Sequence, residues 1–232
     1  MNLTEQKTYD MTPFGVETSV HSILINIENI KARAEEMISI IEDICWLKDL
    51  GPVQKVSYEA RATRTITKLV DNILKKVEDE VTEEFGEFMI SASAQEALVA
   101  AFGHVKVPLA ELLKEKITGN PGFDFHTETQ DALIAFGEAK YSGKINPYRN
   151  ALEQIRDFIN LKKHDAELVD LQHFVSEEAV NNHLEKKTSY VAAFSINSKK
   201  PISIISNAFD SDYLKDILNE KEIYLIGVTV SD

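Results

Sequence analysis

The sequence predicts an α/β fold, a core sheet flanked by helices, with a helical N-terminal extension over residues 1–52 and the main domain over 53–232. Three observations predict it. Long stretches of helical apolar period fill the first half of the chain. A hard break at Gly119-Asn120-Pro121-Gly122 is followed by short alternating and apolar runs that read as paired strands. After a further helical stretch, two more strand-like runs close the sequence. Helices and strands in that order suit a sheet with helices packed on it.

Residues 1–17 are polar, contain Pro13 and Gly15, and read as a loosely ordered lead. Ile23-Leu24-Ile25-Asn26-Ile27 fits either a strand or the start of a helix. From Lys31 to Asp49 the period is helical, with Ala34, Met37, Ile38, Ile41, Ile44 and Leu47 on one face, and Gly51-Pro52 ends it. A second helix is expected from Tyr58 to Glu80, carrying the stripe Ala62, Ile66, Leu69, Val70, Ile73, Leu74 and Val77. A third covers Glu83 to Phe102, and a short helix follows Pro108. Beyond the break, Phe123 to Thr127 alternates and Ala132 to Phe136 is apolar. Glu128-Thr129-Gln130-Asp131 between them suits a hairpin connection. Helical sequence returns from Asn146 to Leu161 and, more weakly, to Lys186. Strands are expected at Ser189 to Ile196 and Glu222 to Val230, with a further one at Ile202 to Ile205.

Composition narrows the function. The chain has 232 residues, 44% hydrophobic and 27% charged, enough to bury a core without crosslinks. A single cysteine, Cys45, excludes a disulfide framework, a Cys-rich zinc site and an iron–sulfur cluster. Beside Trp46 on a core-like helix, it reads as packing. The longest apolar run, Ala97 to Phe102, is far too short to span a membrane, and no secretion signal is visible, so the expected location is the cytoplasm. No nucleotide-binding glycine loop and no Gly-x-Ser-x-Gly elbow occur, and the six histidines form no zinc-type pair at close spacing. The net charge of −13 argues against tight nucleic-acid binding by this chain alone.

One constellation carries chemistry. Asp124 lies early in the first hairpin strand, and Glu138-Ala139-Lys140 closes the second. Residues two apart on a strand share a face, so Glu138 and Lys140 point the same way, and the hairpin can bring Asp124 beside them. Two converging carboxylates make an oxygen-rich site suited to Mg²⁺ or Mn²⁺. A lysine beside such a metal can orient a water or stabilise charge on a phosphate. An acid two residues before a lysine occurs three times, at Glu5/Lys7, Glu138/Lys140 and Glu185/Lys187. Only the middle pair ends an apolar strand and has a strand acid upstream. The competing reading is a strand whose last residues reach solvent. His126 shares the face of Asp124 and is a lesser candidate at the metal.

The arrangement Phe123-Asp124-Phe125-His126, then Gly137-Glu138-Ala139-Lys140-Tyr141, between two helices, resembles the PD-(D/E)xK nuclease superfamily. The proline directly before the first acid is missing, with Pro121 three residues earlier; Glu128 and Asp131 are alternative first acids. The resemblance implies a restriction-endonuclease-like core, a glutamate on the preceding helix (Glu87, with Glu84 second) as a further metal ligand, and a glutamine on the following helix, Gln154. At closer range, residues 84–160 are similar to the HamA family, the nuclease subunits of Hachiman antiphage defence systems. Membership implies a metal-dependent deoxyribonuclease of little sequence specificity, restrained by a helicase subunit resembling HamB.

Basic residues concentrate between 139 and 163, where Lys140, Lys144, Arg149, Arg156, Lys162 and Lys163 outnumber Glu153 and Asp157. Lys144 and Arg149, just past the site, are the expected contacts to a DNA backbone. A second basic group is Arg61, Arg64 and Lys68. Two other functions fit the same residues: a non-catalytic interaction subunit on a nuclease-like core, and a ribonuclease.

Overall fold

A computed structural model describes residues 1–72, 81–113 and 122–230. In chain order the elements are β1 (Asn2–Tyr9), β2 (Ser19–Ile27), α1 (Ile30–Glu42), α2 (Pro52–Asn72), α3 (Glu83–Phe102), β3 (Val105–Lys106), α4 (Ala110–Leu113), β4 (Phe125–Glu128) and β5 (Ile134–Lys140). Then follow α5 (Tyr148–Asn160), α6 (Lys163–Leu171), α7 (Glu177–Leu184), β6 (Ser189–Ile196), α8 (Pro201–Phe209), α9 (Asp212–Lys215) and β7 (Glu222–Val230).

The strands form one mixed sheet in the order β1-β2-β7-β6-β5-β4-β3. The four central strands are parallel, and the pairs at both edges are antiparallel. Helices cover both faces. On β6, Tyr190, Ala192 and Phe194 join one apolar cluster with Ala151, Leu152, Ile155 and Phe158 of α5. Val191 and Ala193 join a second cluster with Met37 and Ile41 of α1 and Phe85, Met89 and Leu98 of α3. Burial on both faces is why β6 reads as a continuous apolar run rather than an alternating one. It also accounts for α3, which is apolar nearly all round because it lies between the sheet and its neighbouring helices.

The helix at Glu83–Phe102 and the strands at Ser189–Ile196 and Glu222–Val230 occupy the expected residues. The expected N-terminal helical extension does not form as such. Residues 1–27 are mostly strand, and β2 pairs with β7 along nine residues, so the first part of this segment belongs to the common sheet and after it only α1 and the short turn that follows are helical. Its edge strand β1, Asn-Leu-Thr-Glu-Gln-Lys-Thr-Tyr, has no apolar alternation because almost all of it is exposed. Backbone pairing with β2 holds it in place.

Helix α1 stops at Glu42, where Asp43 is extended and its Oδ1 accepts from the N–H of Cys45 at 2.9 Å. Ile44 and Cys45 are consequently exposed, which corrects the reading of Cys45 as a packing residue. Ile202–Ile205, expected as a strand, lies in α8, where Pro201 supplies a preset first helical turn. The expected stripe residues Ile73, Leu74 and Val77, and the break at Gly119-Asn120-Pro121, lie outside the described residues.

Candidate active site

The β4–β5 hairpin builds the site. Its turn is closed by Thr129, whose N–H donates to Leu133 O at 2.9 Å and whose hydroxyl accepts from Leu133 N–H at 3.1 Å. This sets the register in which Phe125 faces Gly137 and His126 faces Phe136. A Cβ on Gly137 would come within 2.3 Å of the Phe125 ring, so the glycine is what lets that ring lie flat across the strand.

The register carries past β4 to Asp124. Its N–H donates to Gly137 O at 2.9 Å, and its Oδ2 accepts from Ala139 N–H at 2.9 Å. Asp124 thus brackets Glu138 from the neighbouring strand. Glu138 and Lys140 share a face, as their spacing requires: Lys140 Nζ donates to Glu138 Oε1 at 2.7 Å. The same ammonium reaches Glu87 Oε1 on α3 at 3.4 Å. Gly86, next to Glu87, allows this approach. A Cβ there would lie 2.1 Å from the ring of Tyr141, the neighbour of Lys140.

The cluster holds three carboxylates and one ammonium. Glu138 is only 1% exposed, and its Oε2 is buried without a hydrogen-bond partner among the described residues. Burial, then the charge of Asp124, holds its carboxyl well above the usual range, and Lys140 offsets this only in part. Glu87 is also raised, again chiefly by burial. Burial alone would lower the Lys140 ammonium; Glu138 first, then Glu87 and Asp124, outweigh it and raise its pKa. These shifts describe one situation, a buried surplus of negative charge with a firmly protonated lysine in it.

An oxygen-only donor set with an unsatisfied buried carboxylate oxygen is one that could hold a hard dication at Asp124 and Glu138. Glu87 stands on the far side of the lysine. The three carboxylates are not drawn together within 4.8 Å; among the described residues only His164, Asp165 and His183 form such a group. Lys140 acts instead as the shared counterion of Glu138 and Glu87. A small cleft lined by Glu84, Glu87, Ser91, Glu111 and Asp124, with Leu69 and Phe88, opens beside the cluster. Glu111 was illegible in the sequence, because only the packing of α4 brings it to this cleft.

The other expected residues divide. Glu128 accepts from Ser176 N–H at 2.8 Å and its hydroxyl at 2.6 Å, so it anchors the start of α7 and is not a site acid. Asp131 is exposed in the turn. His126 is fully buried, with Nε2 2.6 Å from Glu167 Oε2, and lies away from the carboxylates. Glu167 Oε1 also accepts from Phe123 N–H at 2.9 Å. Glu167, which no local pattern singled out, therefore fixes the residues on both sides of Asp124. Lys144 is exposed in the loop after β5, and Arg149 is exposed beside Tyr148 at the start of α5. Gln154 is half-buried on α5 and makes no hydrogen bond to the cluster among the described residues; α5 packs in the opposite apolar cluster from α3. Arg156 is engaged by Glu153, Asp157 and Asp216; only Asp216 comes from outside the basic segment, so most of the segment's positive excess remains. Arg61 pairs with Asp170 at 3.5 Å and donates to Leu113 O, a structural tie between helices.

Among the described residues, no helix is long and apolar enough to cross a membrane. Compared with known proteins, the chain matches no family model and no curated sequence.

Proposed function

We propose that this chain is a metal-dependent nuclease of the PD-(D/E)xK type, acting on DNA with little sequence specificity as the effector of an antiphage defence pair, its partner a helicase subunit resembling HamB. The observation that carries the reading is the cluster at the end of β5. Glu138 is buried and ionically strained, bonded to a protonated Lys140, and flanked by Asp124 across the hairpin. A buried surplus of carboxylate at a strand end costs stability, and groups perturbed in this way cluster at functional sites. The order α3, β3, α4, β4, β5, α5, with the acid-bearing hairpin preceded and followed by helices, supports a restriction-endonuclease-like core.

Asp124 and Glu138 would hold the Mg²⁺ or Mn²⁺, and Glu87 would join them as a further ligand only by leaving the Lys140 ammonium that now holds it. The ion, when bound, supplies Lewis-acid stabilisation and an activated water. The protein's own residues do the rest. The Ala139 N–H orients the Asp124 carboxylate. Lys140 is an ammonium at neutral pH, so its part is to stabilise charge on the scissile phosphate rather than to remove a proton. Lys144 and Arg149, exposed beyond β5, are placed to meet the phosphate backbone.

The test is cleavage of DNA by the purified chain with Mg²⁺ or Mn²⁺, alone and with its partner, against a Glu138→Ala, Lys140→Ala double variant. Cleavage by the wild type only is expected. Identical behaviour of the two proteins in the presence of the partner rejects the reading in favour of an interaction subunit. Competition between DNA and RNA decides between deoxyribonuclease and ribonuclease.

A further inference from the structure

We propose that His164, Asp165 and His183 form a second metal site, one for a transition-metal dication, Zn²⁺ foremost, which ties the first turn of α6 to the last turn of α7. The site does not depend on the nuclease reading. His164 Nε2 and His183 Nε2 lie 3.5 Å and 3.1 Å from Asp165 Oδ1, and the three ligand atoms all fall within 4.8 Å of one another. Zinc bonds of about 2.0–2.1 Å at tetrahedral angles separate neighbouring ligand atoms by about 3.3 Å, so two edges of such a shell are already in place. Two imidazoles and one carboxylate select a borderline dication over Mg²⁺.

The surroundings match. The His183 side chain is 2% exposed and that of His164 14%, while Asp165 is 54% exposed, leaving a fourth position open to water. The rings of Phe136 and Tyr190 wall the histidines on the inner side. Both Nδ1 atoms are buried without a hydrogen-bond partner among the described residues. Ligands lacking that outer support bind roughly 10–100-fold more weakly. The ion would brace α6, and α6 carries Glu167, which holds Phe123 and His126 on either side of Asp124.

The experiment is a Zn²⁺ titration of the full chain, stripped with chelator and carrying Glu138→Gln so that the carboxylate cluster contributes less. Zn²⁺ at about a hundred times its dissociation constant should raise Tm by about 5 °C or more, and Mg²⁺ should not. Asp165→Asn, at a half-exposed position, removes a direct ligand and should lower the response sharply, and His183→Gln should remove it. Co²⁺ should give the visible absorption of a four-coordinate site, lost in the Asp165→Asn protein. No rise in Tm with Zn²⁺, or an equal rise with and without Asp165→Asn, overturns the assignment.

Discussion

Replacing Glu138 by Gln should make the protein more stable and inactive at once. The side chain is buried, one oxygen has no hydrogen-bond partner among the described residues, and the charge lies among Asp124, Glu87 and a single ammonium. Gln keeps the volume and an acceptor for Lys140 while removing one of three negative charges, which leaves one carboxylate in excess rather than two. Gln still leaves an amide NH2 where Oε2 stood, so only the charge penalty is relieved, and at about 1.4 kcal/mol per pKa unit of displacement, partly offset by the weaker bond to Lys140, the variant should gain about 1 kcal/mol. In a chain of this size that is about 2–4 °C in Tm. The pH dependence has a definite sign. A carboxyl whose folded pKa is raised binds its proton more readily in the folded state, so its penalty is largest at neutral pH and above. The gap between variant and wild type should therefore narrow as pH falls from 7 toward the ordinary glutamate value. Scanning calorimetry at several pH values, with nuclease assays alongside, tests both halves. A variant destabilised by more than 1 kcal/mol at pH 7, or a gap that widens in acid, refutes the argument that the site stores electrostatic strain.

Further outcomes follow from the same geometry. Lys140→Met leaves three carboxylates without their counterion and should cost about 2 kcal/mol at pH 7, less in acid as Glu138 and Glu87 take up protons; urea titration at pH 5 and 8 measures it. Gly86→Ala places a methyl 2.1 Å from the Tyr141 ring and should cost about 1–3 kcal/mol while displacing Glu87, read by urea titration and by the metal response. With a net charge of −13 and Arg156 tied to three acids, the isolated chain should bind DNA weakly and lose binding steeply between low and physiological salt. Fluorescence anisotropy across a salt series checks this, and tight binding at physiological salt contradicts it.

Much of this architecture is legible in the sequence wherever a single periodicity decides the outcome. The helix at Glu83–Phe102 and the strands at Ser189–Ile196 and Glu222–Val230 are long, apolar and cleanly bounded. The Asp124, Glu138 and Lys140 juxtaposition is legible too, because a hairpin converts sequence spacing into proximity. What misleads is whatever depends on a distant partner. β1 is polar on both sides and becomes a strand only through β2. Ile202–Ile205 has strand composition, yet a short apolar run fits either element, and Pro201 decides for helix. Glu111, Glu167 and the His164/His183 pair carry no local signal, since helix packing alone brings each to its partners.

The seat of Tyr141 on the bare backbone of Gly86 has a mechanical consequence. The two residues next to that contact, Glu87 and Lys140, belong to different elements and share one ionic bridge. Ring and backbone already touch, so the contact couples a slide of α3 to the end of β5. A shift of the helix would therefore change how the ammonium is shared between Glu87, now at 3.4 Å, and Glu138, now at 2.7 Å, with the glycine as the pivot.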